Sequence, residues 1–260
     1  MKNILSLGAG VQSSTMALMA AKGELGYEVD CAIFADTQAE PKEVYDWLEW
    51  LKTELPYPVH IVSKGDLFED GIKVHTSKGG RKYTQASVPA FTIYQGKKGI
   101  SVRQCTSGYK IEPIQKKVKE LYGKTEVRML IGISTDEAAR MKPSKKINIK
   151  NTYPLIEKGM NRQDCIKWFE NNNYPKPPRS ACVFCPYHSN REWQRLKTES
   201  PSEFARAVEY EKKLKEATEK TEYKAELFLH YSCKPLETVQ FIDEKQVDLF
   251  NNECEGMCGV

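Results

Sequence analysis

Apolar residues from Asn3 to Leu7 form a short run that stops at Gly8-Ala9-Gly10, and helical spacing takes over from about Ser13 to Lys22. Tyr27 to Ala35 is a second apolar stretch, closed by Asp36-Thr37, and has the look of a strand buried on both faces. Pro41 suits the first position of a helix, where its missing N–H costs nothing. Val44, Trp47, Leu48, Leu51 and Leu55 then recur at helical spacing. Tyr57 to Ser63 forms a third strand pattern. Short, nearly continuous apolar runs alternating with amphipathic helices predict an α/β fold: an open, parallel, twisted sheet with helices on both faces.

The pattern changes at Lys73–Gly99, which is basic, glycine-containing and weakly periodic, and predicts a long loop or hairpin. Ile111–Tyr122 is helical in spacing, and Val127–Ile133 is another buried strand ending at Gly132-Ile133-Ser134. Asn161 can cap a helix that runs to about Asn171. Pro175-Lys176-Pro177-Pro178 is the clearest break. It divides the chain into a domain of residues 1–175 and a cysteine-rich, partly helical C-terminal segment of residues 176–260. Helical spacing holds there from about Arg191 to Lys220, and Leu227–Val260 carries little pattern. That segment is too small to fold alone without a metal or docking on the first domain.

The chain has 260 residues, 40% hydrophobic and 28% charged, an ordinary globular composition. No apolar run approaches the roughly 18 residues that span a bilayer, and Met1–Leu5 has no secretory character, so the expected location is the cytoplasm and no membrane contact is expected. Net charge is only +4, yet Lys73–Lys150 holds 18 Lys plus Arg against 5 Asp plus Glu, a surplus of 13. Two readings stand: a polyanionic partner such as nucleic acid, or a solvated basic face with the few cations a nucleotide needs.

Candidate chemistry begins at the first turn. A strand, then Ser6-Leu7-Gly8-Ala9-Gly10-Val11-Gln12-Ser13-Ser14-Thr15, then a helix makes an anion site. Glycines admit close backbone approach, and N–H groups at a helix start face the ligand with the helix dipole behind them. Ser13, Ser14 and Thr15 add hydroxyls. The segment lacks the lysine of a P-loop and the third glycine of Gly-x-Gly-x-x-Gly. Taken alone, it equally fits a tight structural turn. Asp36-Thr37 ends the second strand, where open α/β sheets bind their ligands.

Four blocks together resemble the PP-loop, or adenine nucleotide alpha-hydrolase, superfamily, in its phosphoadenosine phosphosulfate (PAPS) reductase-like branch. They are Gly8-Ala9-Gly10-Val11-Gln12-Ser13; Ala35-Asp36-Thr37 with Pro41 and Tyr45; Gly132 through Asp136-Glu137 to Arg140; and Tyr153-Pro154-Leu155-Ile156, the Asp164–Phe169 helix and Cys182-Val183-Phe184-Cys185-Pro186. The resemblance implies an adenine nucleotide, ATP or PAPS, lying across the strand ends. Its contacts would be Ser6, Gly8, Ala9, Gly10, Gln12, Ser13, Ser14, Asp36, Thr37, Gly132 and Arg140. Where members of the superfamily read Ser-Gly-Gly-x-Asp-Ser, this chain has Gly8 at the first Ser and Gln12 at the Asp, which sets it nearer the reductases than the ATP pyrophosphatases. Thr135, Asp136 and Arg140 are candidates for phosphate or for a metal such as magnesium; Asp136 and Arg140 also fit an i,i+4 pair.

The chain has eight cysteines, and in a reducing compartment metal or redox roles are favoured over disulfides. The two-residue spacing of Cys182 and Cys185 suits one metal. By resemblance to cluster-bearing relatives, Cys105, Cys182 and Cys185, with Cys233 as the fourth, would hold a four-iron four-sulfur cluster. Zinc, with His188 as a nearby imidazole, is the alternative, and ordinary thiols are the third reading. Cys254 and Cys258 faintly resemble the nucleophilic cysteine ending of the reductases. Cys31 and Cys165 fit core positions.

The resemblance thus implies thiol-dependent reduction of an activated sulfate such as PAPS or adenylyl sulfate. A second reading keeps the fold: an ATP- and iron–sulfur-dependent sulfurtransferase acting on nucleic acid, of the tRNA-thiolating or DNA-phosphorothioating type, served by a thiol or sulfur donor protein. A third is a non-catalytic nucleotide-binding or redox-sensing module. Arg81, Lys82, Tyr83, Phe91, Tyr94, Lys97 and Lys98 interleave cations with aromatics. They suit either phosphate and base contacts or an ordered lid over the nucleotide.

Overall fold

The structure, a computed structural model, describes residues 1–84 and 88–241. In chain order the elements are β1 (Lys2–Leu7), α1 (Val11–Ala21), β2 (Cys31–Asp36), α2 (Lys42–Glu54), β3 (Val59–Ser63), α3 (Leu67–Ile72), β4 (Val74–Thr76), β5 (Lys82–Thr84), β6 (Phe91–Tyr94) and β7 (Lys97–Ile100). There follow α4 (Glu112–Tyr122), β8 (Val127–Ile131), β9 (Ile149–Thr152), α5 (Pro154–Glu157), α6 (Arg162–Asn171), α7 (Asn190–Glu199), α8 (Pro201–Glu219) and β10 (Glu226–Phe228). The described chain forms two compact units, one of Met1–Lys64 with Thr106–Ala181, the other of Gly65–Cys105 with the residues from Cys182 onward. The break in packing thus falls six residues beyond the Pro175 boundary read from the sequence, and 65–105 joins the second unit.

The first unit is built on a five-stranded parallel sheet in the order β3-β2-β1-β8-β9. Its inner strands are buried on both faces, which is why they read as continuous apolar runs rather than alternating ones. Leu5, Leu7, Ala32, Phe34 and Leu130 pack under α1, α2, α5 and α6, with Trp47, Leu48, Cys165 and Phe169 among the helix contacts. Ile4, Cys31, Ile33, Ala35, Met129 and Ile131 face the other way, onto Ile114 and Val118 of α4. Helices therefore cover both faces, and Cys31 and Cys165 are core residues. Asn161 caps α6 with a full capping box, its side chain accepting from the Asp164 N–H at 2.9 Å while Asp164 accepts from the Asn161 N–H at 3.0 Å. Such a cap contributes about 1 kcal/mol.

The second unit holds two small antiparallel sheets, β4-β5 and β10-β6-β7. The Lys73–Gly99 stretch is thus a pair of hairpins whose strands are too short and too exposed to show an alternating pattern. Phe68, Phe184 and Tyr210 form its aromatic centre, with Phe184 stacked on Tyr210 at 4.1 Å and Phe68 edge-on at 5.2 Å to Tyr210. Gly71 lies so close that a Cβ there would sit 2.5 Å from the Tyr210 hydroxyl, so no larger residue fits without moving a buried ring.

Candidate functional site at the carboxyl ends of the sheet

The strand order places β1 beside β8, while the chain leaves β1 toward β2 on one side and β8 toward β9 on the other. Their carboxyl ends therefore flank the topological switch point, where open α/β sheets bind ligands. At the end of β1, Ala9 sits in the left-handed region at φ 57° and turns the chain sharply into α1. Gly10 is the helix N-cap, in extended conformation with no side-chain cap. The first intrahelical bond runs from the Ser14 N–H to the Gly10 carbonyl at 3.0 Å, so the Val11 and Gln12 amides lie ahead of it with no helical acceptor.

Not every predicted contact of the turn faces outward. Ser13 Oγ accepts from the Gly8 N–H at 3.1 Å and so holds the turn together from inside. Ser14 Oγ accepts from Trp47 Nε1 at 2.9 Å, and Thr15 Oγ1 donates to the Val11 carbonyl at 2.7 Å. Both hydroxyls therefore serve packing of α1 on α2 and on itself. Ser6, Gln12, Ser13 and Ser14 are all buried.

Gln12 ties the turn to the loop after β8. Its Nε2 donates to Ser134 Oγ at 3.4 Å and to Glu137 Oε2 at 3.3 Å, and its Oε1 accepts from Arg162 Nη1 at 3.0 Å. Arg140 donates to the other oxygen of Glu137. Asp136 turns aside and accepts from the Arg162 N–H at 3.2 Å, so Arg140 pairs with Glu137 and not with Asp136. Gly132 follows the end of β8, which brings it, the Gly8–Gly10 turn and Arg140 to adjacent strand ends. Arg162 and Ser134 were missed in the sequence: 150 residues separate Gln12 from Arg162, and no local pattern joins them.

Asp36 stands at the end of β2. Its Oδ1 accepts from the Gln38 N–H at 2.7 Å and from the Tyr45 hydroxyl at 2.8 Å. Burial, and then the hydrogen bond to Asp36, push the Tyr45 phenol well above its ordinary range, so it stays a donor. Thr37 is fully buried. Beneath this corner Lys110 forms an ion pair with Glu40 at 3.0 Å, with side-chain exposures of 4% and 0%, and Ser180 Oγ adds a hydrogen bond to Glu40 at 3.3 Å. Lys110 lies in a π-helical turn, Thr106–Ile111, a rare geometry that inserts a residue ahead of α4.

The predicted cluster ligands Cys105, Cys182, Cys185 and Cys233 all belong to the second unit. Cys105 and Cys185 share Tyr187 as a neighbour, whose phenol is raised by burial first, with the two thiols adding to the effect. The Cys182–Cys185 turn is closed by the Cys185 N–H to the Cys182 carbonyl at 2.9 Å, and its inner residues Val183 and Phe184 are buried core anchors. Cys233 is buried, with its Sγ 3.7 Å from the Tyr231 carbonyl. His188 Nε2 lies 3.0 Å from the Cys182 carbonyl and is used there. Among the described residues no group of three or more His, Cys, Asp and Glu side chains is disposed to hold a metal ion. An iron–sulfur cluster or zinc held by these four cysteines is therefore what the resemblance implies, and nothing further is built on it. Among the described residues there is no disulfide either. Cys254 and Cys258 lie outside the described residues.

The basic segment Lys73–Lys150 is divided between the units. Lys142, Lys145 and Lys146 line a cleft of about 290 Å³ in the first unit, where the Tyr153 hydroxyl donates to the Lys142 carbonyl at 2.6 Å. No helix among the described residues is long and apolar enough to cross a membrane.

The parallel sheet, its order and the glycine turn at the switch point define an adenine nucleotide alpha-hydrolase-like fold. Residues 2–173 match the family model described as the phosphoadenosine phosphosulfate reductase domain, and the chain belongs to that family. It is similar to a solved structure of phosphoadenylyl-sulfate (PAPS) reductase from Candida auris, a phosphate complex, at 17% identity and a TM-score of 0.43, covering 68% of this chain and 75% of that one. A search of curated proteins finds no match.

Proposed function

We propose that the first unit binds an adenine nucleotide by its phosphates at the Gly8–Gly10 turn, and that the protein is a thiol-dependent reductase of an activated sulfate such as PAPS or adenylyl sulfate. The observation that carries this is the left-handed residue Ala9, which turns the amino end of α1 toward the carboxyl ends of β1 and β8. Amides there, with the helix dipole, suit phosphate oxygens, and the Gln12–Glu137–Arg140–Arg162 network holds the far wall rigid. Gly132 and Asp36 would flank the phosphates and the nucleoside.

In the reaction a cysteine thiolate attacks the sulfate sulfur, the S–O bond to the nucleotide breaks, and the nucleotide phosphate leaves. A second thiol then displaces sulfite and closes a disulfide, so two thiols supply the two electrons. Cys254 and Cys258 are the candidates from sequence for these thiols. The test is an anaerobic incubation with PAPS or adenylyl sulfate and a dithiol, with sulfite and released nucleotide both measured. Equal amounts of the two are expected. Tight nucleotide binding without sulfite removes the reductase reading and leaves a nucleotide-binding module.

A second reading is ATP-dependent sulfur transfer to nucleic acid. It is favoured by one specific feature, the run from Gly71 to Ile111 that contains no Asp or Glu. Pyrophosphate or AMP release from ATP that requires added RNA or DNA would select it.

A further inference from the structure

The second unit contains a cavity of about 550 Å³ that the nucleotide reading does not use. Val88, Ala90, Leu214 and Leu227 give it an apolar floor and are all buried. Tyr83, Tyr94 and Tyr223 stand at its rim with 44%, 45% and 46% of their surface exposed. Grouped at one cavity, the three rings present aromatic faces to the solvent. His75 stacks against Tyr83 at 5.5 Å and backs the ring from the neighbouring strand. Arg81, Lys82 and Lys224 line the same cavity, against a single acid, Glu222, which pairs with Arg81 at 3.3 Å in an exposed and therefore weak ion pair.

The surrounding charge is one-sided. From Lys73 to Arg103 the chain carries seven Lys or Arg and no Asp or Glu. Six of them, Lys73, Lys78, Arg81, Lys82, Lys97 and Lys98, are exposed. A single phosphate needs far fewer cations than that. Aromatic faces that take any base, combined with cations that follow a backbone, are the chemistry of single-stranded nucleic acid binding. A duplex hides its base faces and leaves the tyrosines uncovered.

We propose that this cavity is a binding site for single-stranded nucleic acid, with a base seated among Tyr83, Tyr94 and Tyr223 and the phosphates running along the lysines. The site lies wholly within the second unit and is independent of the phosphate turn, so either reading can fail without the other.

The test is fluorescence anisotropy of the full chain with a labelled 15-nucleotide oligothymidylate or oligouridylate at low salt. Y83A, Y94A, Y223A and K82A are compared with the parent, each checked for an unchanged circular dichroism spectrum and melting temperature. Saturable binding is expected, with each tyrosine variant weaker by about fivefold or more and a clear loss of affinity as salt rises. K82A should reduce the salt slope. Tyrosine variants that bind like the parent, a duplex of equal length that binds as tightly, or no saturable binding would overturn the proposal. Full competition by AMP at equal concentration would make it a mononucleotide site, and tyrosine-dependent binding of polyglutamate would make it an acidic-protein site; either also overturns it. The Gly10→Asp variant, which blocks the turn of the first unit, should bind the oligonucleotide normally.

Discussion

The guanidinium of Arg162, at the start of α6, donates to Gln12 Oε1 at 3.0 Å, and so fixes which way the Gln12 amide faces. Arg162 can only donate and an ionised Glu137 can only accept, so the carbonyl must meet the arginine and the NH2 must meet Glu137. Glutamine is the residue that satisfies a donor and an acceptor at once in this buried position. Gln12→Met should therefore cost about 1–3 kcal/mol of stability, from polar partners left short of a bond, and should weaken nucleotide binding as well. Gln12→Glu should keep the bond to Arg162 but set two carboxylates together, and its stability should improve as pH falls toward 5. Urea unfolding at pH 5 and pH 8 separates the two variants, and equal stability of all three proteins at both pH values would contradict the assignment.

Ser14 distinguishes a packing role from a ligand role. Its hydroxyl accepts from Trp47 Nε1 at 2.9 Å in the core between α1 and α2. Ser14→Ala should lower stability by about 1–3 kcal/mol with the nucleotide Kd within twofold of the parent. A normal melting temperature combined with a large loss of affinity would return Ser14 to the phosphate site.

The Glu40–Lys110 pair is buried on both sides. Lys110→Met leaves a carboxylate in the interior short of its counter-charge and should cost about 3–5 kcal/mol. The double variant Glu40→Gln/Lys110→Met should recover much of that loss. Thermal unfolding of the two proteins reads this directly, and equal losses in both would show that the pair is not the cause.

Acid stability should carry the mark of His230. Burial lowers its pKa from 6.5 to about 4, and its ring bonds Asn190 Oδ1 and Ser232 Oγ, both at 2.8 Å. The unfolded chain takes up this proton near pH 6.5 and the folded chain only near pH 4. The stabilisation is thus complete above pH 6.5 and is lost as pH falls from there to 4, at about 1.4 kcal/mol per pH unit. Urea midpoints between pH 4 and pH 7 should slope accordingly, and the slope should shrink in His230→Gln.

Much of the first unit was legible because its strands are buried on both faces and punctuated by glycine. The Gly8-Ala9-Gly10 turn, Asp36-Thr37 and the Asn161 cap all announce themselves within a few residues. β9 was not visible: in Ile149–Thr152 only the first and last residues are buried, and lysine and asparagine lie between. The second unit was illegible for a different reason. It joins 65–105 to a segment about eighty residues further on, so its core exists only across that gap. The Cys182–Cys185 spacing draws attention to the thiols, and gives no sign that the inner residues Val183 and Phe184 are buried core residues. The Gln12–Arg162 contact, likewise long-range, left no local trace.

The most direct measurement is calorimetric titration of the full chain with PAPS, adenylyl sulfate and ATP, beside Gly10→Asp. Aspartate is a favourable N-cap and its carboxylate would occupy the place a phosphate would take; because Gly10 is buried, the variant's melting temperature is measured beside the titration and only a folded variant is compared. The account predicts saturable one-to-one binding to the parent and a loss of at least thirtyfold in the variant. A parent that binds none of the three, or a folded variant that binds as well as the parent, would contradict it.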